Sequence, residues 1–196
     1  MGTEHTDTRQ HILDCGQRLI AAKGFVGVGL SEILGSAEVP KGSFYHYFGS
    51  KEQYGTALLE SYFTEYLARI DALFDQPDKT GAERLNRYLQ RWTETQCGDD
   101  ASAKCLIVKL AAEVSDLSNA MRSTMRQGTD AILTRLSRCI AEGQADGSIG
   151  SPLPAADAAL WLYETWLGAS LLAKLRRDNS ALESARHATR TIFALK

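Results

Sequence analysis

The sequence predicts an all-α protein of about nine helices, in which a head of three short helices is joined to a larger helical bundle. Apolar residues recur at the 3.6-residue helical period in nearly every segment. Only 4 prolines interrupt the 196 residues, and no segments pair as partner strands would. We expect the head to cover residues 1–49 and the bundle residues 50–196, with the helix that starts at Ser50 connecting them.

The head contains three predicted helices. The first has an apolar stripe over residues 12–23 and ends at Gly24, a residue suited to the position after a helix. The second covers residues 30–37 and is broken by Pro40. The third covers residues 41–48, where the aromatic residues favour a strand by propensity. Because no partner strand exists, we interpret this segment as one or two turns of helix.

Helix starts in the bundle are predicted by capping residues. Glu or Gln three positions later completes a capping-box pattern at Ser50, Thr80 and Ser180. Ser102 is a further predicted cap, for a helix that runs through Cys105. These starts, the long apolar stripe after residue 117 and a helix over residues 155–177 account for the predicted helix count.

Charge, cysteine spacing and the lack of long apolar runs argue against several classes of function. The formal net charge is −2, and the first 54 residues hold five Lys/Arg and six Asp/Glu, which argues against indiscriminate coating of nucleic acid. The four cysteines are Cys15, Cys97, Cys105 and Cys139; they form no CxxC pair, so we expect no metal site. We also expect no cofactor. No signal peptide or membrane-length apolar run is visible, so we expect a cytoplasmic protein without a membrane partner and with free thiols.

Residues 41–51 carry the chemistry expected of a DNA-recognition helix. Glycine permits close approach of the backbone to phosphate, serine and tyrosine hydroxyls can donate to phosphate or base edges, and lysine adds a charge-assisted contact. The residues with these properties are Gly42, Ser43, Tyr45, Tyr47 and Lys51. Phe44 and Phe48 are expected to fix the helix to the core of the head.

The head closely resembles the DNA-binding signature of the TetR family. The resemblance rests on Gly24-Phe25, on Leu30-Ser31-Glu32-Ile33 and on the run AEVPKGSFYHYFGSKE over residues 37–52. It covers about the first sixty residues and implies binding of double-stranded operator DNA. The family's contacting positions correspond here to Ser31, Lys41, Gly42, Ser43, Tyr45, Tyr47 and Lys51. We choose Lys41 for base readout, with guanine as the preferred base.

The same resemblance implies a homodimer formed by the last two long helices, here residues 155–177 and 180–194. The apolar faces predicted for the interface contain Leu160, Leu167, Leu171, Leu182, Ala185 and Ile192. The alternative is that both faces pack within one monomer. We favour the dimer because a single head contacts too few bases to specify a site.

Residues 104–114 and 167–174 are similar to an electrophile-responsive subgroup of this family, typified by the N-ethylmaleimide reductase repressor. The similarity implies an electrophile as inducer and Cys105 as sensor. If Ser102 caps the helix, Cys105 lies in the positive first turn, and Lys104 and Lys109 add positive potential. We therefore expect a lowered pKa and a reactive thiolate at Cys105.

Two residues are possible partners of this thiol. Cys97 lies eight residues before Cys105 and could act as a resolving thiol, and Lys174 could supply a nearby charge. Lys174 could equally extend into solvent. Cys15 and Cys139 fall on apolar stripes and are expected to be core residues.

Two alternatives remain open. One is a repressor induced by reversible binding of a hydrophobic small molecule in an apolar pocket. Its lining would come from Tyr62, Tyr66, Trp92, Met121, Met125, Trp161 and Trp166. The more remote alternative is a thiol-dependent enzyme. No GxSxG, HExxH or phosphate-loop motif is present, and the histidines lie outside the Cys105 region, so we expect no catalytic activity.

Overall fold

The computed structural model describes the backbone of residues 2–97 and 105–195, and the side chains of residues 8–96 and 105–195. Within these ranges it contains nine α-helices and no strand, which confirms the predicted fold class. The helices are α1 (Gly2–Lys23), α2 (Leu30–Ala37), α3 (Lys41–Tyr47), α4 (Lys51–Phe74), α5 (Gly81–Cys97), α6 (Leu106–Leu117), α7 (Asn119–Ala145), α8 (Ala155–Arg176) and α9 (Ser180–Ile192).

The predicted capping box is complete at Thr80 and half complete at Ser50, where Gln53 Oε1 accepts the Gly49 N–H at 3.0 Å rather than that of Ser50. The Gln53 N–H donates to Ser50 Oγ at 3.1 Å at the start of α4. At the start of α5, the Glu83 N–H donates to Thr80 Oγ1 at 3.3 Å, and the Thr80 N–H donates to Glu83 Oε2 at 2.8 Å. These bonds satisfy amide groups that a helix start leaves without intrahelical partners, so the local sequence fixes where both helices begin.

The other two predicted caps have different outcomes. The expectation that Ser180 caps α9 is wrong, because Ser180 is already the first helical residue. The Ser180 N–H donates to Asp178 Oδ1 at 3.0 Å, so the carboxylate two positions earlier accepts a backbone hydrogen bond at the start of this helix. Ser102 lies outside the described residues.

The recognition segment is anchored by aromatic packing in the head. Phe44 is completely buried, and its ring centroid lies 5.2 Å from that of Phe48 and 5.4 Å from that of Tyr54. The Tyr54 hydroxyl donates to the Ile12 carbonyl oxygen at 3.1 Å. The inward roles expected for Phe44 and Phe48 are therefore confirmed, and α3 is fixed to α1 and α4.

The described helices pack as two compact units. The first contains α1, α2, α3, α4 up to Thr64, α6, and α7 up to Gly128. The second contains the rest of α4 and α7 together with α5, α8 and α9. The helix α6, which follows Cys105, thus packs in the same unit as the head helices, although it is far from them in sequence. The predicted division into a DNA-binding head, residues 1–49, and a sensing and dimerisation bundle, residues 50–196, concerns function rather than packing. It stays a prediction.

Two tryptophans fix the inner face of α8 in the second unit. The Trp92 indole N–H donates to Ser170 Oγ at 2.8 Å, which joins α5 to α8. The Trp166 indole N–H donates to Thr189 Oγ1 at 3.0 Å, which joins α8 to α9. Because buried indole groups require hydrogen-bond partners, these two bonds set which side of α8 faces the core.

The opposite side of α8 carries an exposed apolar surface, which we call the leucine face. It consists of Leu160, Leu171, Leu172 and Leu175, whose exposed fractions range from 43% to 71%. On α9, by contrast, Leu182 and Ala185 are buried within the monomer. The expectation that these two residues line a dimer interface is therefore wrong, because their side of α9 packs inward within its own chain.

Candidate nucleic-acid interface and thiol site

The short helix α3 divides its residues between core and surface. Phe44 is turned inward, whereas Lys41, Gly42 and Tyr45 are exposed and Tyr47 is half-buried. The Lys41 ammonium lies 5.8 Å from the centroid of the Tyr45 ring. An ammonium, an unobstructed stretch of backbone and a phenolic hydroxyl therefore share one end of a helix that is small enough to enter a DNA groove.

The remaining predicted contacts lie around α3. Ser31 is exposed near the start of α2, and Ser43 is half-buried on α3. Lys51 already has partners within the chain: its ammonium donates to the Phe25 carbonyl oxygen at 2.8 Å and lies 4.6 Å from the Phe25 ring centroid. Partial burial lowers the pKa of Lys51, and Glu113 opposes that shift. A phosphate contact by Lys51 stays a prediction, because this ammonium also holds the turn after α1.

We did not expect a role for His46 from the sequence. Its imidazole is exposed on α3, and its ring centroid lies 4.8 Å from that of Tyr47. An imidazole N–H at this place could donate to a phosphate oxygen. The sequence signal was its place inside the recognition segment, between two tyrosines.

Replacing Gly42 by alanine separates DNA contact from folding. A Cβ atom at Gly42 would meet no atom within 4 Å, and alanine favours helix by up to about 1 kcal/mol, so we expect unchanged or raised thermal stability. If the backbone approaches phosphate here, the added methyl group should weaken operator binding by about tenfold, equivalent to ~1.4 kcal/mol. Thermal unfolding and fluorescence anisotropy measure the two effects. Gly35→Ala on α2, which is equally unobstructed, is the matched control; equal affinities for both variants and the parent would contradict the contact.

The three cysteines whose side chains are described differ in accessibility. Cys15 and Cys139 are buried, with exposed fractions of 1% and 0%, whereas Cys105 is half-buried. Burial raises the pKa of Cys139 to about 12. An electrophile reaches a half-buried cysteine more readily than a completely buried one, so Cys105 is the best candidate for modification among these three.

The expectation that the pKa of Cys105 is lowered is wrong. Burial of the sulfur is the largest influence and raises the pKa of this thiol. The N–H groups of Ile107 and Val108 and the Tyr62 hydroxyl, 3.9 Å from Sγ, act in the opposite direction without overcoming it. Cys105 is itself the N-cap residue of α6, rather than the third helical residue, and its sulfur makes no capping hydrogen bond of normal geometry.

Of the lysines proposed to lie near Cys105, Lys109 has a hydrogen-bond partner on another helix. The Lys109 ammonium donates to the Ala22 carbonyl oxygen at 3.0 Å, at the end of α1. Lys174 is exposed on α8, in the other packing unit. Lys104 lies outside the described residues, and Cys97 ends α5 with its side chain outside them too. A partnership of Cys105 with Cys97 or Lys174 stays a prediction.

The residues proposed for an apolar ligand pocket are mostly packed core. Trp92 and Trp166 are buried with ring centroids 6.0 Å apart, and Met121 and Met125 are buried in the first unit. The second unit has an open groove of about 640 Å³ along α4 and α5, lined mainly by polar and charged side chains. None of these tryptophans or methionines lines that groove.

Among the described residues, no cluster of three or more His, Cys, Asp or Glu residues is placed to hold a metal ion. None of the helices described here is long and apolar enough to cross a membrane.

Two protein families match the chain. Residues 12–53 match "Bacterial regulatory proteins, tetR family", and residues 81–189 match "Tetracyclin repressor-like, C-terminal domain". The first match runs from within α1 through α2 and α3 to the start of α4, and the second extends from the start of α5 into α9. The predicted head and the predicted bundle are thus each matched by a TetR-type family.

Individual relatives extend the similarity over almost the entire chain. The HTH-type transcriptional repressor NemR of Escherichia coli strain K12 is 42% identical over 195 residues, which are 98% of this chain and 96% of NemR. The HTH-type transcriptional repressor DhaR of Mycobacterium sp. strain GP1 is 32% identical over 91% of this chain and 88% of DhaR. The crystal structure of E. coli NemR in its reduced form superimposes with a TM-score of 0.91 and 40% identity, covering 97% of this chain and 98% of that one.

Proposed function

Because the chain belongs to the TetR family of bacterial regulatory proteins, we propose that it is a transcriptional repressor that leaves its operator when Cys105 is modified by an electrophile or oxidant. Its relatives are transcriptional repressors rather than enzymes. TetR-family repressors bind operator DNA and act as dimers. To these general properties we add which residues contact DNA, which surface forms the dimer and which thiol senses the electrophile.

The division of α3 between buried and exposed residues carries the DNA-binding part of the proposal. Phe44 holds the helix from within, while Lys41, Gly42 and Tyr45 are free to meet a groove. Two heads related by a two-fold axis would read a near-palindromic site with half-site centres about 34–36 Å apart, or a multiple of that spacing. The leucine face of α8 is the apolar surface available for this dimer.

The accessibility of Cys105 supports the sensing part. With N-ethylmaleimide as the electrophile, the thiolate sulfur attacks one carbon of the ring C=C bond and forms a C–S bond. The electron pair moves to the adjacent carbon, which takes up a proton from water, so the net change is addition of S–H across the double bond with no leaving group. The adduct enlarges a side chain whose sulfur lies 3.9 Å from the buried Tyr62 hydroxyl. We expect this added bulk to displace the start of α6.

Reversible binding of a hydrophobic inducer is the competing proposal. The packing of Trp92 and Trp166 against one another favours a core role for the central aromatic residues over a preformed pocket. The two mechanisms differ experimentally, because a reversible inducer acts on a protein that lacks Cys105 whereas a covalent one does not.

Selection of bound duplexes from a random library with the purified protein tests the DNA-binding proposal. We expect a near-palindromic consensus. Lys41→Ala should weaken binding by about 1–3 kcal/mol and relax preference at one base position, whereas Tyr45→Phe should weaken binding to all sequences similarly. Competition by single-base variants of the consensus measures the difference. No enrichment, or full affinity in both variants, would contradict the assignment of α3 as the recognition helix.

A further inference from the structure

Cys105 directly precedes α6, and two charged residues, Lys109 and Glu113, lie on one face of that helix. Lys109 and Glu113 are four residues apart, so their side chains follow one another along the helix axis. Cys105 is at the N-terminal end, and Glu113 is about 12 Å further along at 1.5 Å per residue. A displacement at Cys105 is therefore carried by a continuous helix to the other two residues.

The other two side chains hold the end of α1 and the turn that follows it. The Lys109 ammonium donates to the Ala22 carbonyl oxygen at 3.0 Å. The Glu113 carboxylate accepts the Phe25 N–H at 3.1 Å and the Val26 N–H at 2.5 Å. Hydrogen bonds of this kind to a charged group are stronger than neutral ones, so α6 and this turn are tightly joined.

The turn is shaped to receive that carboxylate. Gly24 has φ of 87°, in the left-handed region that favours glycine, and a Cβ atom there would lie 3.0 Å from Glu113 Oε2. From the other side, Lys51 of α4 donates to the Phe25 carbonyl oxygen at 2.8 Å. The turn between α1 and α2 is thus held by α6 and by the first residue of α4, and it leads directly into α2 and α3.

We infer that Glu113, assisted by Lys109, is the coupling residue that transmits modification of Cys105 to the DNA-binding head. The inference rests on the proposed function and adds its transmission step. An adduct at Cys105 displaces the start of α6 from Tyr62, and the helix moves Lys109 and Glu113 with it. Their bonds then pull the Ala22–Val26 backbone, which repositions α2 and α3 away from the geometry that fits the operator. All of these residues belong to one packed unit.

The test compares the parent protein, Glu113→Ala and Asp116→Ala, all in a Cys97→Ser background. Asp116→Ala is the matched control, because it removes an exposed carboxylate from the same helix. Each protein is alkylated with N-ethylmaleimide, a single adduct on Cys105 is verified by peptide mass spectrometry, and operator affinity is measured before and after. The readout is the ratio of the two dissociation constants.

We expect alkylation to weaken binding about tenfold or more in the parent and the Asp116→Ala control, but less than about twofold in Glu113→Ala. A merely structural role would lower the melting temperature or the basal affinity while leaving the ratio unchanged, and an unchanged ratio would overturn the inference. A parent that keeps its operator after complete alkylation would instead overturn the proposed function. Lys109→Met provides a second variant if Glu113→Ala does not fold: a reduced ratio supports the coupling, and the parental ratio contradicts it.

Discussion

A Cys105→Ser protein should bind the operator with parental affinity and remain bound when treated with N-ethylmaleimide, whereas the parent is released. Serine preserves the size and hydrogen-bonding capacity at the N-cap of α6 but does not react as a thiolate does. Anisotropy of a labelled operator, followed after addition of the electrophile, measures the difference. The expected contrast is complete: release in the parent and none in the variant.

The pH dependence of this reaction follows from the raised pKa of Cys105. Only the thiolate attacks, and a raised pKa reduces the thiolate fraction at neutral pH. The rate of alkylation should therefore increase about tenfold per pH unit from neutrality upward and level off only above the pKa of an ordinary free cysteine, roughly 8.5. A rate that is already constant near pH 7 would contradict the raised pKa, and it can be measured by intact-protein mass spectrometry in timed samples.

Cys15→Ser and Cys139→Ser are the controls for the identity of the thiol. Both side chains are buried, so these variants should be released by N-ethylmaleimide as the parent is. If Cys105→Ser is still released and another cysteine variant is not, the sensor is that other thiol. If all four single variants are released, reversible induction becomes the better explanation.

Leu171→Glu should convert the dimer into monomers and weaken binding to the palindromic operator by a factor on the order of 10²–10⁴, the gain expected from linking two binding modules. Leu171 is 49% exposed in the monomer and lies on the leucine face of α8. If this face is buried between two copies, the variant places a carboxylate in an apolar interface without a partner. Sedimentation velocity at micromolar concentration measures the oligomeric state, and anisotropy measures the affinity.

Leu117→Glu on α6 is the matched control, because Leu117 is a leucine of similar exposure, 52%, on a different helix. It should remain dimeric. Gly168 is also exposed on α8, with open space around it. Because glycine has no side chain, it would allow α8 of one protomer and α8 of its partner to approach closely. A Leu171→Glu protein that sediments as the parent does would exclude the leucine face as the dimer surface.

Local sequence determined the helices and the recognition segment. The capping residues at Ser50 and Thr80 act within four residues of the chain, so their effect is readable without knowledge of the fold. The same holds for residues 41–48, which were predicted to form a short helix with Phe44 and Phe48 facing inward. These conclusions depend on short-range geometry, which the order of residues specifies directly.

Only the tertiary structure decided which side of each helix meets which neighbour. Helical periodicity identified apolar positions on α8 and α9, but it could not tell that Leu171 faces outward while Leu182 is buried in its own monomer. Likewise, the positive helix end near Cys105 was readable from the sequence, whereas the burial that outweighs it and raises the thiol pKa comes from packing. Lys109 and Glu113 bond to Ala22, Phe25 and Val26, more than eighty positions away in the chain. Desolvation and long-range hydrogen bonds depend on residues brought together by folding, and a helical repeat carries no information about them.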